Sequence, residues 1–207
     1  MGRRGKSGKY VGAGLALLLI TGFARAQEVR HPGADKVPEL FAQALPHLEA
    51  VLGAPLERPP QFRVVTPDQF WPLPDPDLDA ALRWHFPELT DDAFRRALDA
   101  TRYVAAGVTV ARHAEGSDVI HVLPDNLTAI ARWDASLAQV DSPGFLQLAL
   151  VHATVRMVLD RRYDLAARRK ACRDGEEWQA LQAVFEGRAL WLTARVARRL
   201  GSAVYLP

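Results

Sequence analysis

The stretch from about Phe145 to Arg161 limits the fold more than any other part of the chain. Leu146, Leu148, Ala149, Leu150, Val151, Ala153, Val155, Met157, Val158 and Leu159 cover nearly every face of a helix drawn through it. A helix that is apolar almost all round belongs in the interior, so this segment is expected at the centre of the core. Yet it carries His152 and Arg156, whose i, i+4 spacing puts them on one face. A guanidinium inside a protein must find a partner, because an unpaired buried charge is very costly. A second long helix is expected from about Glu176 to Leu200, with Leu181, Val184, Phe185, Leu190, Leu192 and Val196 as its apolar stripe. Glu186-Gly187 interrupts that stripe, which suggests close packing beside one paired or functional carboxylate.

The start of the chain reads as an export signal. Arg3, Arg4, Lys6 and Lys9 form a basic head, Val11 to Thr21 an apolar core, and Ala24-Arg25-Ala26 a small-x-small cleavage signal. The apolar core is too short to span a bilayer permanently. Export to the periplasm or the medium, with cleavage after Ala26, is therefore expected. The rest, residues 27–207, is sized for one domain with a real core.

Charge changes meaning once residues 1–26 are set aside. The whole chain has 26 Lys+Arg and 24 Asp+Glu; the remainder has 21 and 24, a net charge of −3. The basic balance thus belongs to the signal and gives no support for nucleic-acid binding. Residues 27–149 carry 10 basic and 18 acidic side chains, residues 150–207 carry 11 and 6. These halves are expected to attract each other within one fold. Arg168-Arg169-Lys170 reads as a solvated basic loop, with an anionic partner as the alternative. Cys172 is the only cysteine, so no intramolecular disulfide or Cys-rich zinc site can form.

Elsewhere, Lys36 to Leu52 has helical periodicity and ends at Gly53 and Pro55. Gln61 to Thr66 reads as a short strand, and Pro67 to Asp79 as a packed loop. Thr90 caps a helix to about Tyr103. Gly107 to Arg112 and Asp118 to Leu123 read as a hairpin around Glu115-Gly116-Ser117. Residues 124–136 form a short helix or loop, and Ser142-Pro143 opens the central helix. The five tryptophans, Trp71, Trp84, Trp133, Trp178 and Trp191, are expected in the core. No Gly-rich phosphate loop and no Gly-x-Ser-x-Gly elbow occurs.

Residues 149–190 resemble the catalytic core of gluzincin-type zinc metallopeptidases, in which His-Glu-x-x-His lies on one helix and Glu-Gly on the next. The first histidine falls on His152, the catalytic glutamate on Ala153 and the second histidine on Arg156. Asp160, Tyr163, Asp164 and Leu165 fit the family's following Leu-Gln-Asp-Gln-x-Phe-Asp-Leu, and Ala183 to Ala189 fit its Ala-Leu-x-Glu-Gly-x-Ala, placing Glu186 at the third ligand. The resemblance implies an α+β, mostly helical domain: two packed zincin-like helices with a small antiparallel sheet or hairpin. The departures imply lost chemistry. Zinc in such a site needs two imidazoles, a carboxylate and water, with the motif glutamate as general base. Ala153 accepts no proton, and Arg156 has no lone pair to give a metal.

The expectation is an inactive pseudopeptidase with no cofactor, its vestigial site formed by His152, Ala153, Arg156 and Glu186. Arg156 is expected to take the place of the metal and pair with Glu186, His152 alongside. Loss of one partner of a buried pair of this kind costs about 3–5 kcal/mol. Alternatively, Arg156 pairs with Asp160 at i+4, Glu186 snorkels out toward Arg188, and His152 is a packed core histidine. The expected role is binding of an exported protein or peptide, by β-augmentation at an edge strand, with no nucleic acid and no membrane span. A metal-dependent hydrolase built on His152 and Glu186, with zinc and a third ligand such as His113 or His121, is the second possibility. A structural subunit of an envelope assembly is the third.

Overall fold

The computed structural model describes residues 33–133 and 140–202. The expected signal peptide, His31 and residues 134–136 lie outside the described residues. After a short 3-10 turn at Ala34–Lys36, the elements are α1 (Val37–Leu52), β1 (Gln61–Val64), α2 (Pro67–Phe70), α3 (Pro76–His85) and α4 (Asp91–Val108). Then follow β2 (Ala111–His113), β3 (Val119–Val122), α5 (Asp125–Trp133), α6 (Pro143–Tyr163), α7 (Leu165–Ala171) and α8 (Gly175–Leu200). The fold is α+β and mainly helical, with one small sheet.

Helix α6 is the centre, as its composition requires. Its N-terminus is fixed by Ser142, whose hydroxyl accepts the Phe145 N–H at 3.2 Å, with Pro143 in the first turn. It packs against α1, α8, β2 and β3. Leu146, Leu150, Val151, Val155 and Met157 are wholly inaccessible, each contributing about 1.5–3 kcal/mol by burial. Asp164 then ends α6 and starts α7. It adopts φ 48°, a left-handed conformation that a short polar side chain tolerates, and its carboxylate accepts the Ala167 N–H at 3.0 Å.

The sheet has the order β1-β3-β2. The hairpin β2–β3 is antiparallel as expected, turning at Gly116 with φ 71°. β1, however, pairs parallel with β3, Phe62 opposite Ile120, so the sheet is mixed rather than antiparallel. The three helices α2, α3 and α4 supply the crossover that a parallel pair needs. Ile120 and Val122 point into the core, while His121 lies on the other face, edge-on to Phe70 at 5.9 Å.

Several expectations are corrected. The Pro67 to Asp79 loop is interrupted by two helix starts. Thr66 and Gln69 form a capping box for α2, and Asp75 caps α3 by accepting the Leu78 N–H at 3.0 Å. α4 runs on past Tyr103 to Val108, because the Asn126 amide donates to the carbonyls of Ala106 (2.7 Å) and Thr109 (2.6 Å). On α8, Val184 and Leu190 face solvent; the buried stripe is Trp178, Phe185, Ala189, Leu192 and Val196. Gly187 has nothing within 4 Å of the position of a Cβ, so it is not a close-packing site. Gly175 is, with its added Cβ only 2.8 Å from the Cβ of Trp84. Trp178 is buried, but Trp133 and Trp191 are exposed, the latter between the guanidiniums of Arg188 (4.5 Å) and Arg195 (4.8 Å). Among the described residues no helix is long and apolar enough to cross a membrane.

Candidate functional site

His152 and Arg156 stand one turn apart on α6, facing Glu186 on α8. His152 Nε2 is 3.0 Å from Glu186 Oε1, and Arg156 Nη1 is 3.3 Å from Oε2. One carboxylate thus joins the two side chains, one oxygen each. The Arg156 approach is off the hydrogen-bond direction and Nη1 is buried without a hydrogen bond, so that contact is chiefly Coulombic. Arg156 Nη2 reaches Gln182 Oε1 at 3.4 Å and Asp77 Oδ2 at 3.8 Å. On the far side of the imidazole, His152 Nδ1 lies 3.5 Å from the Thr193 hydroxyl. The hydrogen bond from His152, followed by the charges of His152 and Arg156, holds the Glu186 carboxyl below its usual pKa against the opposing effect of burial.

Of the alternatives, Arg156 does not pair with Asp160, and Arg188 stacks on Trp191 instead of meeting Glu186. The pair is less buried than expected. The Glu186 side chain is 46 % exposed and that of Arg156 20 %. The 3–5 kcal/mol assigned to a buried pair therefore overstates it, because solvent screens the carboxylate.

The cluster borders a cleft of about 210 Å³ between α6, α3, α7 and the hairpin. Ala153 and Arg156 floor it, and Ala111, Arg112 and His113 of β2 line one wall. The basic cluster of α7, expected as a solvated loop, supplies a structural ion pair. Arg169 is only 11 % exposed; it grips Glu115 with both terminal nitrogens (2.5 and 2.7 Å) and reaches Asp77 at 2.6 Å. The Glu115 hydrogen bonds, then those of Asp77, hold its guanidinium protonated beyond its ordinary range. This ties α7 to α3 and the hairpin, joining the acidic and basic halves of the sequence. Arg161 to Asp118 joins the two halves likewise, and Arg112 to Asp75 (2.6 Å) ties β2 to the start of α3 within the acidic half.

The residues do not fit a zinc site of the implied kind. His152 and Glu186 converge, but the third position is a cation and the general-base position is a methyl group. His113 lines the same cleft, its Nε2 on the Ser117 carbonyl at 3.0 Å and its Nδ1 3.8 Å from Asp160, beyond hydrogen-bond reach. Burial holds its pKa below the ordinary value. His121 lies on the opposite face of the sheet. Among the described residues no group of three or more His, Cys, Asp or Glu has the arrangement of a metal site.

Sequence reasoning missed Asp77, Glu115 and Arg169 as part of the site. Asp77 opens α3, Glu115 sits in the hairpin turn and Arg169 lies on the short α7, pieces of chain far apart in sequence with no periodic signal linking them. Cys172 is a free thiol at the end of α7, 3.3 Å from the Arg168 carbonyl. Comparison with protein-family models, curated proteins and solved structures returns no match to this chain.

Proposed function

We propose that this chain is an exported, catalytically inactive relative of zinc metallopeptidases that binds extended peptide segments. The observation that carries the reading is the Arg156 guanidinium set against Glu186. A fixed cation stands where the resemblance puts a metal ligand, and it bridges the two helices that a metal would bridge. Ala153 beside it leaves no group to activate water.

The cleft supports the binding role. β2 is the last strand of the sheet, so among the described residues one of its sides has no ladder partner. The bonds Leu123 N–H to Val110 and Ala114 N–H to Val119 set the register. They turn the backbone groups of Ala111 and His113 away from β3, on the open side. An extended peptide can complete the ladder there, as edge strands accept guests by β-augmentation. Hydrogen exchange tests this directly. Added extended peptide should slow exchange at the Ala111 and His113 amides without being cleaved. Zinc-dependent cleavage of the peptide, or unchanged exchange at saturating peptide, contradicts the reading.

A further inference from the structure

We propose that the cleft selects peptides by a basic side chain, with the Asp160 carboxylate as its counter-charge; this rests on the peptide-binding reading above. Arg112 and Arg156, which line the cleft, and Arg169 behind Glu115 and Asp77 already have their carboxylates. Arg112 is taken by Asp75, Arg169 by Glu115 and Asp77, and Arg156 by Glu186. Asp160 is the carboxylate left over. Its side chain is 9 % exposed and lines the cleft, yet among the described residues no guanidinium or ammonium comes within 4.0 Å of it. It accepts the Gly116 N–H at 3.3 Å and stands 3.8 Å from His113 Nδ1. Burial holds the pKa of that imidazole below its ordinary value, which makes His113 a poor counter-charge for Asp160. A buried carboxylate without a cation is unfavourable, and a cationic guest relieves it.

The register says where the guest charge falls. A strand added to β2 lies about 4.8 Å away, and its residue opposite His113 points to the same face as His113. That face carries the imidazole to Asp160. A Lys or Arg at that position of the guest is therefore directed at Asp160. The cleft volume, about 210 Å³, lies below the ~300 Å³ at which pockets begin to hold drug-sized ligands, and suits one long side chain.

Fluorescence anisotropy with dye-labelled, end-blocked heptapeptide pools, random except for a central Lys, norleucine or Glu, tests the assignment. The purified protein should bind the Lys pool about tenfold more tightly than the norleucine pool, and the Glu pool most weakly. Asp160→Asn keeps an acceptor for the Gly116 N–H and should erase the preference. Equal binding of the Lys and norleucine pools by the unmodified protein overturns the charge assignment and leaves peptide binding standing. A Lys preference that survives in folded Asp160→Asn overturns the role of Asp160. Binding of none of the pools overturns both this inference and the peptide-binding reading.

Discussion

Removing the Glu186 carboxylate is the perturbation that most directly probes the link between α6 and α8. In Glu186→Ala, His152 loses a 3.0 Å partner and Arg156 a 3.3 Å one. A hydrogen bond to a charged group contributes about 1.5–3 kcal/mol, and an exposed ion pair about 0.2–1 kcal/mol. Glu186 is 46 % exposed, and Arg156 keeps Gln182 and the more distant Asp77, so it is not stranded. The expected loss is about 1–2 kcal/mol, seen as a fall in Tm of about 2–8 °C for a domain this size. Arg156→Ala should cost about as much or slightly more, because the stem of the side chain is also buried. In the double variant the losses should fall short of their sum by about 0.5–1.5 kcal/mol, the coupling expected of groups in one network. Urea unfolding of the four proteins measures this. Losses that add to within about 0.3 kcal/mol would falsify the idea that the guanidinium and the carboxylate form one unit.

Other expectations follow from the same structure. The folded pKa of His113 lies below its ordinary 6.5, so the unfolded chain binds the extra proton; stability is full above that value and falls as pH drops beneath it. His121, lowered chiefly by burial, adds to the same slope, and urea midpoints that stay flat from about pH 7 to pH 5 contradict the assignment. Glu186, held below its ordinary 4.5, adds stability above that pH that is lost on further acidification, and Glu186→Gln should remove that component. Gly187→Ala should raise stability by about 0.5–1 kcal/mol, since the added methyl meets nothing, whereas Gly175→Ala should lower it by about 1–3 kcal/mol against Trp84; equal effects in thermal melts refute the packing argument. Arg156→His should gain a zinc-dependent rise in Tm, by adding an imidazole to His152 and Glu186 in place of a cation, without gaining hydrolysis, since Ala153 remains. A variant whose Tm ignores zinc argues that the two helices do not hold the ligand geometry.

What the sequence made legible follows the range of the forces involved. The central position of α6 was readable because its apolar residues cover most of its circumference. His152, Arg156 and Glu186 could be grouped because residues 149–190 resemble the gluzincin core, which sets these three positions at one site. The parallel pairing of β1 with β3 was not readable, since it depends on where α2, α3 and α4 return the chain. Arg169 looked solvated because its partners, Asp77 and Glu115, lie far away in sequence. The helix starts at Thr66-Pro67 and Asp75-Pro76 were present as signals: a capping side chain followed by proline at the first helical position. Proline and aspartate density alone made the segment look like loop. The end of α4 was misplaced because Gly107 resembles a break, while the carbonyls near it are satisfied by Asn126 from another element.

The central claim is that an arginine has replaced the metal. Zinc retention tests it most directly: the purified protein is incubated with zinc, desalted, and its metal content measured beside its melting temperature. The account predicts that no zinc stays with the chain and that the melting temperature is unchanged. Stoichiometric zinc, lost in His152→Ala or Glu186→Ala, contradicts it and points back to metal-dependent chemistry at this site.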